Sequence, residues 1–443
     1  MLRIFGHSVR MSVLVLAVIE ALTVYAAIFV IATLVVHSPD GPSGLTSAAA
    51  LPAILTIVMM LALGIYEPDA RANLSTMTER LGVACVVGAG LGFGIVYVFG
   101  DIWVSPLYAI ACASFSYGAV AVARYIFGRF LHFVPLQRRI LVIGDPASSE
   151  SVREVARLGS GGGDVVGVVD PADAQEGLLE RARALDAAEI IVADRSAPLP
   201  AAALLDCKAA GMRILDSLDF GELETGKVDL ENLYPARFIF ARNAGYAIWS
   251  MRAKRALDIV VSGVALLVLS PVLILAALAI RLDSPGGVFY RQTRVGLNDA
   301  PYEIVKFRSM RSDAEIAGKP QWAQENDSRV TRVGRFLRQT RIDELPQILN
   351  ILKGEMSLVG PRPERPFFVE KLEEAMPFYA ERHRVKPGLT GWAQIKYRYG
   401  ATEEDAREKL RYDLYYVKNF NILLDIFILM RTVRVVLWPD GVH

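Results

Sequence analysis

The sequence predicts a membrane protein of membrane α plus α/β class. Residues 1–135 read as a four-helix N-terminal transmembrane region and 136–248 as a small Rossmann-like cytoplasmic domain. Residues 249–443 read as a C-terminal α+β domain with a re-entrant membrane helix at 257–282. Three observations predict this. The 443 residues are 53% hydrophobic with a mean hydropathy of +0.34, too long for one domain and too apolar for an ordinary soluble protein. Four apolar runs, each near the ~20 residues that a spanning helix needs, stand in series at the front. Behind them, short apolar strand text alternates with helical text.

The four runs are Ser12 to Val36, Ala48 to Tyr66, Leu81 to Phe99 and Val104 to Phe127. A cleaved signal peptide does not explain four in series. Arg3 and Arg10 precede the first, Arg71 and Arg80 lie between the second and third, and Arg124, Arg129, Arg138 and Arg139 close or follow the fourth. The other loops, His37 to Ser47 and Gly100 to Trp103, hold no Lys or Arg. By the positive-inside rule, the N-terminus and everything after the fourth run are cytoplasmic. Glu20 inside the first run is expensive in lipid and predicts an interior polar contact.

A formal net charge of +1 argues against a nucleic-acid partner. Cys85, Cys112 and Cys207 are far apart and form no CxxC, and two of them fall in apolar runs where they read as packing residues, so no disulfide framework or zinc site follows. The five histidines are scattered without an HExxH pattern, which disfavours metal hydrolase chemistry.

From Arg139 the text is that of a small doubly wound sheet. Strands are expected at Ile140–Gly144, Val165–Val169 and Glu189–Ala193, with helices at Ser149–Leu158 and Leu178–Leu185. The first turn, Gly144-Asp145-Pro146-Ala147-Ser148, lacks the spaced glycines that let a backbone approach a pyrophosphate. Gly159 to Gly163 reads as a loop. A structural or regulatory module is the better reading than a dinucleotide site.

The run Leu257 to Leu282 is long enough to span a bilayer as a fifth helix. Basic residues flank both ends, Arg252, Lys254 and Arg255 before and Arg281 after, which favours both ends on one side. At its middle, Ser270-Pro271 removes a backbone donor and disfavours helix for the preceding residue, so a helix break is expected there. The segment then enters one leaflet and returns.

Further on, Gly287–Gln292 and Tyr302–Phe307 read as a hairpin delivering Lys306 and Arg308, a point charge and a planar fork suited to a diphosphate. Arg329, Arg332, Arg335, Arg338 and Arg341 recur every third residue and wind around a helix surface toward lipid headgroups or solvent, with Arg341 the one expected to reach phosphate. Asp343-Glu344 follows. Asp343 is a favoured N-cap type, Pro346 falls in the first turn, and Ile348, Leu349 and Leu352 keep helical spacing until Gly354. At a positive helix end beside Arg341, Asp343 should have a depressed pKa and stay ionised as a nucleophile toward phosphorus, with Glu344 able to hold Mg2+. An isolated Asp-Glu is more often an ordinary capping pair. Gly360-Pro361-Arg362-Pro363-Glu364 is a rigid turn that fixes Arg362 and Glu364. Asn419 to Trp438, interrupted by Asp425, Arg431 and Arg434, reads as an amphipathic helix on the membrane surface.

Four stretches in order, Val305-Lys306-Phe307-Arg308-Ser309-Met310, Asp343-Glu344-Leu345-Pro346-Gln347, Ser357 through Glu364, and Lys386-Pro387-Gly388-Leu389-Thr390-Gly391-Trp392, closely resemble the bacterial sugar transferase family, the large polyprenyl-phosphate phosphoglycosyl transferases. The resemblance covers roughly Lys254 to the C-terminus. It implies transfer of a sugar 1-phosphate from a UDP-sugar to undecaprenyl phosphate, with release of UMP, at the cytoplasmic face of the bacterial inner membrane. It also implies Asp343 and Glu344 as the catalytic pair, with a covalent phosphosugar on Asp343 and Mg2+ on Glu344, substrate or phosphate binding by Lys306, Arg308, Arg341, Arg362 and Glu364, and the re-entrant helix. A full crossing at 257–282 would put these motifs on the wrong side for nucleotide donors. Glucose, galactose and N-acetylated sugars all suit the pattern, with UDP-glucose the first choice; a homodimer is left open. The alternatives are a membrane-bound nucleotide-sugar dehydratase of the short-chain dehydrogenase type, whose Tyr-x-x-x-Lys Tyr302 and Lys306 would imitate, and an inactive scaffold. Against the first, that pair lies in strand text with no glycine-rich turn before it.

Overall fold

The computed structural model describes residues 2–4, 7–9, 11–35, 42–66, 74–99, 106–131, 138–159, 163–194, 198–236, 248–311, 329–397, 400 and 402–437. Arg10, Arg71, Trp438 and residues 36–41, 100–103 and 160–162, used in the reading above, lie outside them. The chain divides into two compact units, Met1–Thr225 and Gly226–His443.

In the first unit a short antiparallel hairpin, β1 (Leu2–Ile4) and β2 (His7–Val9), precedes four helices: α1 (Met11–Val35), α2 (Pro42–Ala62), α3 (Leu74–Phe99) and α4 (Pro106–Leu131). Each coincides with an expected apolar run. Ser75–Val98 and Pro106–Phe127 are long and apolar enough to cross a membrane, while Val15–Ile31 and Ala49–Ala62 are shorter apolar stretches. Gly88 and Gly92, four apart on α3, lie so close to Thr56 and Pro52 of α2 that an added Cβ would run into the α2 backbone, the close approach that small residues permit between apolar helices. Glu20 makes the expected interior contact: it is fully buried, 2.6 Å from Arg124 Nε, and accepts from the Tyr66 hydroxyl at 2.6 Å. The three cysteines are buried and free.

The α/β part follows as β3 (Arg138–Ile143), α5 (Pro146–Leu158), β4 (Gly163–Val169), α6 (Leu178–Ala184), β5 (Glu189–Val192), α7 (Ala201–Ala209), β6 (Arg213–Asp216) and α8 (Ser217–Thr225). The sheet is parallel in the order β4-β3-β5-β6. The three expected strands are present. The fourth escaped notice because its four residues begin and end on charges. Helix α5 starts at Pro146, three residues before expectation, because Asp145 accepts from Ser148 N at 3.1 Å as its cap. Arg138, counted above among the membrane-flanking cations, is instead buried in this domain, paired with Glu189 at 3.0 Å and with Glu224.

The second unit starts with a strap whose Val228 is fully buried; Trp392 Nε1 donates to Gly226 O at 2.7 Å. Then comes α9, a single helix of 36 residues, Ile248–Asp283, beginning nine residues before the expected start at 257. The break expected at Ser270 and Pro271 is not there: Pro271 lies inside continuous helix. Proline deprives the Leu267 carbonyl of its helical donor, but Ser270 Oγ donates to that carbonyl at 2.8 Å and satisfies it. Both halves of α9 grip the unit. Lys254 Nζ donates to Val359 O at 2.9 Å and Asp258 accepts from Leu358 N at 2.9 Å, while Asp283 accepts from Val333 N at 3.1 Å. Between them the helix leaves Leu267 and Leu275 exposed.

The remaining elements are the antiparallel hairpin β7 (Phe289–Val295) and β8 (Pro301–Phe307), α10 (Arg332–Gln339), a 3-10 turn at Ile342–Gln347, α11 (Ile348–Lys353), β9 (Ser357–Val359), α12 (Pro366–Ala375), a 3-10 turn at Tyr379–Arg384, β10 (Gly388–Thr390, parallel to β9), α13 (Trp392–Lys396), α14 (Glu403–Asn419) and α15 (Ile422–Leu437). Trp392, Tyr415, Tyr416, Leu424 and Ile428 form the centre of the core. Helix α15, expected as a surface helix, buries Leu424, Asp425 and Ile428 in this core, with Asp425 bonded to Lys254 at 2.7 Å.

Asp258 accepts from two buried donors, Ser357 Oγ (3.0 Å) and Leu358 N (2.9 Å). Asp258→Ala therefore destabilises the protein by roughly 2 kcal/mol, from the desolvation left on those donors; denaturant midpoints in detergent measure it, and an unchanged midpoint contradicts the link.

Candidate active site

Strand β8 alternates. Phe307 points into the cluster formed with Ala276, Ile280 and Leu337, and Lys306 therefore points to the opposite face. There its Nζ donates to Glu344 Oε1 at 2.9 Å. From the proline-rich turn after β9, Arg362 Nη2 reaches the same oxygen at 2.7 Å. Asn350 sets the spacing between α11 and β8: its Oδ1 accepts from Val305 N at 3.0 Å and its Nδ2 donates to Glu303 O at 2.7 Å. Sequence reasoning passed over Asn350; a polar residue inside the apolar run Ile348–Leu352 was the available signal.

The dyad does not stand at an α-helical N-terminus capped by Asp343. Arg341 occupies the cap position in left-handed backbone (φ 60), and Asp343 is the second residue of a 3-10 turn that leads into α11. The reason is the turn out of α10: Thr340 and Arg341 close that helix with bonds back to Phe336 and Arg338, which leaves no extended residue to serve as a cap. The expected depression of Asp343 is also overturned. Burial, and then the adjacent Glu344 charge, push Asp343 up to about 6, against the pull of Lys306, Arg341 and Arg338. For Glu344 burial alone would raise the pKa, but the Arg362 and Lys306 cations bonded to it hold it well below the usual carboxylate range. Burial in turn lowers Lys306, with Glu344 opposing.

The other expected residues are distributed unevenly. Arg341 is exposed, as are Arg332 and Arg335, while Gly334 and Leu337 turn inward. Gly334 has no alternative, since a Cβ there would collide with the Ser309 carbonyl. Arg308 is not brought to the dyad. Its buried guanidinium donates to Ser284 O at 2.8 Å and Pro285 O at 2.7 Å, closing the chain behind α9, because its backbone has left the strand and the end of α9 offers unpaired carbonyls there. Glu364 lies 3.6 Å from Arg294.

Among the described residues, Asp343 Oδ1 is buried without a hydrogen-bond partner, whereas Glu344 Oε1 is shared by two cations. Glu344, whose cations both engage Oε1, has a second carboxylate oxygen that fits a hard divalent ion taking most of its ligands from phosphate and water.

A carboxylate with a raised pKa binds its proton more tightly in the native than in the unfolded protein, so stability falls as pH rises from 3.8 through about 6 and stays reduced above it. Asp343→Asn removes that cost. Its melting temperature should exceed that of the parent at pH 7.5, by on the order of 2 kcal/mol in stability, with the gain shrinking toward pH 4; a mutant less stable at pH 7.5 contradicts the assignment.

The family model described as bacterial sugar transferase matches residues 249–439. The chain is 41% identical over 239 residues to the UDP-N-acetylgalactosamine-undecaprenyl-phosphate N-acetylgalactosaminephosphotransferase of Aeromonas hydrophila, covering 54% of this chain and 55% of that protein. It is 46% identical over 191 residues to the undecaprenyl-phosphate glucose phosphotransferase of Komagataeibacter xylinus, covering 42% of this chain and 36% of that one. With the exopolysaccharide production protein PSS of Rhizobium leguminosarum bv. phaseoli it shares 47% identity over 186 residues, 41% of this chain and 92% of that one. The chain thus spans about half and about a third of the first two relatives' lengths.

Proposed function

We propose, because this chain belongs to the bacterial sugar transferase family, that it transfers a sugar 1-phosphate from a UDP-sugar to undecaprenyl phosphate and releases UMP. The observation that carries the reading is the division of labour in the dyad: Glu344 takes both cations, and Asp343 is left with an uncommitted oxygen. That oxygen attacks the sugar-bearing β-phosphorus; the bond to the UMP oxygen breaks, UMP leaves with the electron pair, and the sugar phosphate stays on Asp343 as an acyl phosphate. A phosphate oxygen of the lipid then attacks the same phosphorus and returns the Asp343 carboxylate. Lys306 and Arg362 lie where they can neutralise transferring oxygens, and Arg341 is close enough to Asp343 to influence its charge. Glu344 would hold Mg2+, which would supply further charge neutralisation.

The membrane arrangement is part of the proposal. The four front helices cross the bilayer, and the positive-inside distribution puts the catalytic unit on the cytoplasmic side of the inner membrane. We infer that α9, although helical throughout, bends at Pro271 and so enters one leaflet and returns to it. A straight stretch from Lys254 to Asp283 would be about 43 Å long, beyond the ~30 Å hydrocarbon core. Both of those residues bond to the second unit, which favours both ends on one face. The dehydratase alternative gains nothing, since Tyr302 and Lys306 stand four residues apart on one strand, about 13 Å.

Full-length protein in nanodiscs containing undecaprenyl phosphate should release UMP from UDP-glucose, the first choice, or from UDP-N-acetylgalactosamine. A phosphosugar adduct on Asp343 should be trapped by mass spectrometry. No UMP from any UDP-sugar, or normal turnover by Asp343→Asn, overturns the reading. Because Asp343 must be ionised to attack and titrates near 6, kcat/KM should rise with pH through about 6 and then level; a flat profile from pH 5 to 8 argues against Asp343 as nucleophile.

A further inference from the structure

The turn Gly360-Pro361-Arg362-Pro363-Glu364 contains two prolines and has correspondingly few backbone donors with which to fix itself. Its carbonyls are held from outside. Gly388 N donates to Pro361 O at 2.9 Å and Val295 N to Glu364 O at 3.0 Å. The two carbonyls between them are taken by guanidinium groups, Arg362 O by Arg382 Nη2 at 2.9 Å and Pro363 O by Arg294 Nη1 at 3.1 Å. Arg382 is only 6% exposed, and it also donates to Asp413 Oδ2 at 2.7 Å and to the Tyr379 hydroxyl at 2.6 Å. A buried guanidinium is tolerable because Asp413, itself buried, supplies the opposite charge. The planar fork is what lets one side chain serve a carboxylate, a carbonyl and a phenol together, which a lysine point charge does less well.

We infer that Arg382, neutralised by Asp413 and aided by Arg294 from the facing strand, is a positioning residue that fixes the Arg362 main chain so that the Arg362 guanidinium meets Glu344. It does not touch substrate. The inference rests on the transferase reading of the dyad, and its test has one arm that does not.

The experiment uses the full chain in nanodiscs. Arg382→Lys keeps the charge opposite Asp413 and loses the fork; Asp413→Asn keeps the shape and loses the charge, and stands in if the first variant does not fold. Either should lower kcat for UMP release by about 10- to 100-fold, the cost of a small misplacement, while donor KM changes less. In an Arg362→Ala background the same substitution should have no further effect on kcat, because the side chain it positions is gone. In hydrogen exchange, peptides covering residues 357–365 should exchange about tenfold faster in Arg382→Lys, with residues 348–353 unchanged. Full additivity in the Arg362→Ala background, or unchanged exchange of the turn, overturns the inference. Absence of UMP release by the parent protein counts against the transferase reading, and the exchange result then decides the positioning role alone.

Discussion

Glu344 Oε1 accepts from Lys306 at 2.9 Å and from Arg362 at 2.7 Å, and a carboxylate so far from water needs both. Its three participants come from a strand, a 3-10 turn and a proline-rich loop, spread over residues 306 to 362. None can move far without leaving a buried charge unpaired, a loss of about 3–5 kcal/mol when one partner of such a pair is removed. The rest of the second unit can be understood as the means of holding those pieces together. Asn350 ties α11 to β8 beneath the dyad, and Trp392 with its neighbours packs the core behind it.

Helix α9 is the common reference for that assembly. Its N-terminal half bonds to β9 through Lys254 and Asp258, and β9 leads directly into the turn that carries Arg362. Its C-terminal half packs Ala276 and Ile280 on Phe307, next to Lys306, and receives Arg308 at its end. The two cations on Glu344 are therefore registered against opposite halves of one apolar helix. An element read from its hydropathy, flanking charges and Ser-Pro pair as a membrane segment is also the frame of the site.

What the sequence made legible follows from what each residue depends on locally. The apolar helices and the parallel strands were legible because hydropathy and periodicity carry them, and ordered motifs single out Lys306, Glu344 and Arg362, whose side chains the structure bonds together beside Asp343. For Arg308, motif membership does not say where a long side chain goes; the open carbonyls of Ser284 and Pro285, distant in sequence, decide that. Asp343 was read from its helix-start context, yet its titration is governed by burial, which one sequence window does not report. At Ser270-Pro271 the rule against helix was correct in general, and the serine hydroxyl on Leu267 O locally removed its penalty. Arg382 and Asp413 left no periodic signal, since each matters through a partner 31 residues away.

The split within the dyad has a chemical consequence. A nucleophile whose pKa is pulled far down is always ionised but poorly basic, and nucleophilic reactivity falls with basicity. Burial, and then the Glu344 charge, leave Asp343 titrating near 6 against the pull of Lys306, Arg341 and Arg338, so at neutral pH it is largely ionised and still more basic than a free aspartate. Two adjacent carboxylates with environments that separate their titrations are the pattern expected when one performs chemistry and the other holds charge. Under the proposed mechanism Glu344 would hold the two cations while Asp343 reacts, and the elements that fix Lys306 and Arg362 would act on Asp343 through Glu344.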